Sequence, residues 1–109
     1  MSKAVDFIAI LKYKTREEGG RETPAFTGYR PQVKFDFSEK QTSGEQTFMD
    51  KKTVYPGDSV TAEIRLLSPD FFQNKLCVGM NFDFREGNRI IGNGKIVTIL
   101  NQHLEQIVL

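Results

Sequence analysis

The sequence predicts an all-β fold, a closed antiparallel barrel of about six strands. Apolar and polar residues alternate with a period of two along several short segments. Glycine and proline punctuate the gaps between them. No helical pattern intervenes, and parallel strands would need long crossovers, so neighbouring strands are expected to run antiparallel. Closing the sheet removes the exposed edges that six short strands would otherwise carry.

The first strand is expected at Phe7 to Tyr13. Next comes Gly19-Gly20-Arg21-Glu22-Thr23-Pro24-Ala25-Phe26, then Gly28-Tyr29-Arg30-Pro31-Gln32. Here paired glycines permit positive φ, and each proline pushes its preceding residue toward extended backbone. This loop feeds an alternating strand in which Val33, Phe35 and Phe37 oppose Lys34, Asp36 and Ser38. A turn at Thr42-Ser43-Gly44 is expected to set off a short strand around Gln46 to Met49. Pro56-Gly57-Asp58 suits a type II turn. Val60, Ala62, Ile64 and Leu66 then alternate with Thr61, Glu63 and Arg65. Met80, Phe82 and Phe84 alternate with Asn81, Asp83 and Arg85, and Glu86-Gly87-Asn88-Arg89 carries hairpin chemistry into the apolar run beginning at Ile90. In the tail, Leu100, Leu104, Ile107 and Val108 have helical spacing, but the segment is short enough to be an extended arm instead.

The 109 residues are expected to form a single domain over 1–109, with the barrel at about 5–100 and a tail at 101–109. Fifteen basic residues against fourteen acidic ones remove the usual signature of a DNA-binding or membrane-surface protein. No apolar run reaches the length of a signal peptide or a membrane helix, and the lone Cys77 excludes an internal disulfide framework. These features predict a cytoplasmic protein with Cys77 as a small buried apolar residue. The start at Met1-Ser2-Lys3 and the extended tail lean toward a complete gene product.

No catalytic set is expected. Gly92-Asn93-Gly94-Lys95 fails as a phosphate loop because Arg89 and Ile96 stand where Gly and Ser or Thr are needed. It reads instead as strand glycines where a bulge or another backbone comes close. His103, the one histidine, has no Ser or Cys partner at a recognisable spacing, and no zinc-type ligand set is present. Asp83 with Glu86, and Glu17 with Glu18, read as solvated charge. Lys12, Lys14, Arg16, Arg21, Arg30 and Lys34 interleave with Tyr13, Phe26 and Tyr29 in the manner of an RNA-binding face. Asp6, Glu17, Glu18, Glu22 and Asp36 dilute that charge.

The same loop residues resemble the third, C-terminal domain of bacterial elongation factor Tu, which reads Gly-Gly-Arg-His-Thr-Pro and then Gly-Tyr-Arg-Pro-Gln. The likeness continues through Val54-Tyr55-Pro56-Gly57-Asp58, Ile64 to Pro69, Gly79 to Gly87 and Ile91-Gly92-Asn93-Gly94, in collinear order over roughly residues 5 to 100. It implies a six-stranded antiparallel barrel that performs no catalysis and binds no cofactor. It also implies packing against a second barrel and a GTPase domain, contact with the T stem of aminoacyl-tRNA, and contact with a nucleotide-exchange partner. The GTP-binding loop belongs to another domain, so GTPase activity does not transfer.

Departures from the family pattern shape the functional expectation. Glu22 stands in the place of the tRNA-facing His, putting an anion beside phosphates. Arg21, Arg85 and Arg89 are retained, Asn81 replaces an Arg, and Ser68 replaces a His. The stretch Asp70 to Val78 is longer by about four residues, a large change on the scale of ordinary connections. The candidate RNA- or partner-binding residues are therefore Arg21, Glu22, Tyr29, Arg30, Arg85, Asn88 and Arg89. Phe71, Phe72, Leu104 and Ile107 form a candidate protein-partner patch, with Phe71 and Phe72 either buried against the barrel or exposed. The expected function is a non-catalytic, translation-related binding module with a protein partner and weakened tRNA contact. The rival is an assembly or decoy protein that uses the barrel as a scaffold, with self-association through the tail as one form of it.

Overall fold

The structure, a computed structural model, describes residues 4–107. Eight strands follow in order: β1 Phe7–Tyr13, β2 Ala25–Phe26, β3 Gln32–Phe35, β4 Thr42–Phe48, β5 Thr53–Val54, β6 Ser59–Leu66, β7 Asn81–Glu86 and β8 Arg89–Ile99. Six of them close an antiparallel barrel in the order β1-β6-β4-β3-β7-β8, with β8 returning to β1. The remaining two, β2 and β5, pair as a small ribbon.

Alternation sets the register. Phe7, Ala9, Leu11 and Tyr13 point inward from β1, and Val60, Ala62, Ile64 and Leu66 do so from β6. The interior is rich in aromatic rings. Phe7, Phe35 and Phe82 meet at centroid distances of 5.4 to 6.4 Å toward one mouth. Tyr13 meets Phe84 at 4.9 Å toward the other. Edge-on and tilted contacts of this kind add to the area they bury. Buried Asp6 ties three segments together, its carboxylate accepting from Leu66 N at 2.7 Å and from Asn101 Nδ2 at 2.8 Å.

Two turns form as their chemistry demands. Asp58 N donates to Tyr55 O at 2.9 Å across Pro56-Gly57, with Gly57 at φ 93°. Gly87 at φ 60° and Asn88 join β7 to β8, and Glu86 pairs directly with Arg89. A glycine with positive φ at the first central position is the requirement of a type II′ hairpin, whose twist matches the strands.

Several boundaries differ from expectation. The strand at Val33 stops at Phe35, because Ser38 N turns back to Phe35 O at 3.3 Å, which leaves Phe37 outside the core and largely exposed. Thr42-Ser43-Gly44 is not a turn but the start of β4. A Cβ on Gly44 would lie 2.6 Å from Val33 Cγ2, so this glycine marks close packing inside a strand. Gly92 and Gly94 are likewise packing positions, but rings approach them: Phe84 covers Gly92 and Phe82 covers Gly94 across the β7–β8 pair.

The stretch after β6 and the tail fold together. Pro69–Phe72 makes a 3₁₀ turn that drops Phe72 against Phe35 at 4.9 Å, fully buried. The tail is neither a regular helix nor a free arm. Gln102–Leu104 makes one 3₁₀ turn, and a backbone ladder follows: Asn74 N to His103 O at 2.9 Å, Leu76 N to Leu104 O at 2.8 Å and Gln106 N to Leu76 O at 2.8 Å. Phe72 and Leu104 are therefore core residues, and the expected partner patch contracts to Phe71 and Ile107, which remain exposed. Cys77 is half-buried rather than enclosed. The tail residue Val108 and the start Met1-Ser2-Lys3 lie outside the described residues.

Candidate functional site

The loop between β1 and β3 is built to deliver Arg21 and Tyr29 to one mouth of the barrel. Thr15 and Glu18 cap its first turn reciprocally, Thr15 N donating to Glu18 Oε1 at 2.8 Å and Glu18 N to Thr15 Oγ1 at 3.1 Å. Glu18 is thus a turn residue, its pKa lowered first by the Thr15 backbone N–H. Gly20 must be glycine here, since a Cβ would sit 2.3 Å from Lys14 O. Further on, Gly28 N donates to Gln46 O at 2.7 Å and Gln46 N to Tyr29 O at 2.8 Å, which fixes Tyr29 beside β4.

Glu86, at the end of β7, organises what arrives there. Its Oε2 accepts from both Arg21 Nη1 and the Tyr29 hydroxyl, and its Oε1 faces Arg89 Nη2 at 3.5 Å. The Arg21 guanidinium also lies over the Tyr29 ring, 4.4 Å from its centroid. Its remaining donors reach Thr23 O, Thr23 Oγ1 and Pro24 O at 3.2 to 3.4 Å. An arginine with every face engaged behaves as a structural rivet more than as a free cation. Beside it, Phe26 stands exposed on a cleft of about 500 Å³ that Arg21 and Tyr29 also line.

The other candidates lie apart from this cluster. Arg85 points to the opposite side of β7, forked onto Asp83 at 2.7 and 3.1 Å. Arg30 reaches Glu45 at 2.9 Å, and Arg65 reaches the same carboxylate at 3.1 Å. Glu22 and Asn88 are exposed at the rim. Asp83 and Glu86, expected as solvated charge, are instead the anions that hold Arg85 and the Arg21–Tyr29 pair. The hairpin that joins Glu86 to Arg89 was expected, but not their ion pair. The union of Glu86 with Arg21 and Tyr29 joins positions more than fifty residues apart in the chain, and no local pattern announces it.

These contacts fix the protonation states. Burial alone would raise the Glu86 pKa, but the Tyr29 hydrogen bond and the charges of Arg21 and Arg89 outweigh it, so the net shift is downward. Burial is the first cause that pushes Tyr29 well above the ordinary tyrosine value, followed by its bond to Glu86. Tyr13, buried and bonded to Gln46 Oε1, is raised for the same first reason. At neutral pH the cluster therefore holds the Glu86 carboxylate against the Tyr29 phenol and the Arg21 guanidinium.

Because the folded pKa of Glu86 is depressed, its contribution to stability is complete above the ordinary value of 4.5 and is lost as pH falls through the lower folded value. Glu86→Gln is expected to lower the urea midpoint at about pH 7 and to narrow the gap from wild type at about pH 3. Urea titrations at the two pH values check this, and a gap that stays constant with pH would show that the charge is not what matters.

An all-antiparallel six-stranded barrel with Gly-Gly-Arg and Gly-Tyr-Arg-Pro segments folded over one mouth is the β-barrel domain class of translation factors. The family model described as the elongation factor Tu C-terminal domain matches residues 1–100, and the chain belongs to that family. Residues 101–109 fall beyond the match. Among the described residues no helix is long and apolar enough to cross a membrane.

Proposed function

We propose that this chain is a non-catalytic binding module of the translation apparatus, cytoplasmic, which engages a protein partner and touches tRNA only weakly. The observation that carries this reading is the fate of its basic residues. Arg21, Arg30, Arg85 and Arg89 each sit in an ion pair with Glu86, Glu45, Asp83 or Glu86 respectively. Phosphate contact draws its affinity from released counterions, and a guanidinium that shares a carboxylate, as Arg21 and Arg89 share Glu86 and Arg30 and Arg65 share Glu45, contributes less of that release than a free one. Exposed Glu22 adds repulsion at the same rim. Surfaces that depend on shape and apolar contact, such as the Phe26 cleft, lose nothing by this pairing.

Filter retention of tRNA across a salt series tests the weak half of the reading. The expected result is low affinity even at low salt that falls further as salt rises, with a slope set by the few phosphates neutralised, and with Glu22→His raising retention several-fold. Affinity that ignores salt would refute the electrostatic account. Affinity capture from cell extract tests the other half, and recovery of neither a translation component nor tRNA would sink the module reading.

The rival reading, a scaffold or decoy that binds a protein unrelated to translation, is favoured by one observation. Exposed Phe71 belongs to the connection between β6 and β7, where the chain departs from its family. In that case tail and connection, not the Arg21 loop, make the contact, and Ile107 is the natural point of self-association.

A further inference from the structure

The β6–β7 connection and the tail line a groove at the mouth opposite the Glu86 cluster. Strand β7 connects the two sites, starting beside Met80 at the groove and ending at Glu86, a separation of roughly 20 Å for six extended residues. The groove encloses about 490 Å³, within the range of roughly 300 to 1,000 Å³ typical of sites that hold a ligand. Phe37, Phe71 and Met80 offer it apolar surface, Lys40 and Lys75 stand at its edges, and Gln106 closes it from the tail.

Its walls are held in place before any partner arrives. Phe72 anchors the connection in the barrel, the ladder between Asn74–Leu76 and His103–Gln106 ties it to the tail, and Gln106 Nε2 donates to Lys75 O at 3.1 Å. A preformed wall spares the partner the cost of ordering it. Two rings remain partly exposed there, Phe37 at 44% and Phe71 at 38%.

Charge distinguishes this mouth from the other. The five arginines around Glu86, Asp83 and Glu45 are each held in an ion pair, sharing three carboxylates, whereas among the described residues neither Lys40 nor Lys75 makes an ion pair. The Lys40 ammonium lies 5.0 Å from the Phe71 ring centroid, a cation resting on the apolar wall. We propose that this groove docks a short acidic segment of a protein partner, one apolar side chain seated on Phe37, Phe71 and Met80 with flanking carboxylates on Lys40 and Lys75. The proposal rests on reading the chain as a binding module and assigns a surface and a ligand chemistry to it.

A single-stranded RNA also favours aromatic rings beside lysines. It needs a continuous cationic track for its backbone, however, and the groove's charged lining is two lysines beside one pocket. A compact motif with one apolar residue between acids needs two cations and a pocket, which is what the groove supplies.

The test uses the full chain with a fluorescein-labelled Asp-Glu-Phe-Asp-Glu peptide, read by anisotropy and by amide shifts in ¹⁵N-labelled protein. Controls are the Asp-Glu-Ala-Asp-Glu and Lys-Lys-Phe-Lys-Lys peptides and an oligouridine. Saturable binding of the first probe is expected, with shifts at Ser38, Asn74 and Gln106, and with affinity roughly tenfold weaker for Lys75→Glu and for Phe71→Ala. Both side chains are exposed, and circular dichroism confirms that the variants fold. Absent shifts, equal binding of the basic peptide, or preference for the oligouridine would overturn the proposal. A chain that ignores the peptide yet still captures translation components loses the groove assignment alone. One that binds the peptide and captures none of them loses the translation reading alone.

Discussion

Phe72→Ala is expected to destabilise the whole barrel by about 3 to 5 kcal/mol, the range for deleting a fully buried aromatic ring. Phe72 comes from the connection between β6 and β7, and a surface connection would ordinarily tolerate truncation. Here its ring is completely enclosed, edge-on to Phe35 at 4.9 Å and to Phe37 at 6.0 Å. Phe35 in turn packs on Phe7 and Phe82, so the vacancy opens into the main core rather than under a detachable flap. Domains of this kind are stable by only about 5 to 15 kcal/mol, so the loss consumes a large share of the total.

The adjacent residue supplies the control. Phe71 keeps 38% of its surface exposed, and Phe71→Ala should cost less than about 1 kcal/mol. Urea denaturation read by far-ultraviolet circular dichroism separates the outcomes. A midpoint that falls sharply for Phe72→Ala at unchanged slope means that connection and barrel unfold as one unit. Equal, small shifts for both variants would mean that the connection is a flap and that the barrel closes without it.

How far the sequence reveals this protein depends on whether a feature is local or long-range. Strands β1, β6 and β7 were legible because a buried face every second residue leaves a period in the chain. The Pro56-Gly57 and Gly87-Asn88 turns were legible because their backbone geometry admits few residue types. Gly44 misled because glycine signals a turn in sequence, whereas its role here, room for the Val33 side chain, exists only once β3 lies beside β4. Phe37 misled because alternation continues past the point where the chain turns away.

The candidate site divides the same way. Arg21, Tyr29, Arg85 and Arg89 could be picked out by type and motif, and their exposure as a basic face was the natural reading. What offsets part of that face is three carboxylates: Asp83 lies two residues from Arg85 and Glu86 three from Arg89, while Glu86 meets Arg21 and Glu45 meets Arg30 only in the folded chain. The groove at the opposite mouth was half legible. Phe71 stood out as an apolar residue in a long connection and the tail by its helical spacing, but which of them would fill the core and which would line a surface depended on the ladder between residues 74–76 and 103–106.

Gly92→Ala should be the most damaging single-methyl change in the barrel, with an expected cost of about 3 kcal/mol, the upper end of ordinary overpacking. The ideal Cβ would lie 2.2 Å from Phe84 Cζ and 2.8 Å from Lys12 O, so it meets a ring on one side and backbone on the other. Neither can yield cheaply. Lys12 O belongs to β1, which pairs with β8 along seven consecutive residues, and Phe84 is fully buried with Tyr13 edge-on at 4.9 Å. The φ of Gly92 is not in the left-handed region, so the penalty is steric and not conformational. Gly87→Ala makes the contrast: its φ of 60° is strained for alanine, but nothing lies within 4 Å. Its cost should stay near about 1 kcal/mol. Phe84→Leu removes the obstructing end of the ring, so the double variant with Gly92→Ala should be more stable than the summed singles by about 1 to 2 kcal/mol. Thermal and urea unfolding of the four proteins completes the cycle. Additive losses would show that the ring is not the barrier and would move the constraint to the Lys12 carbonyl.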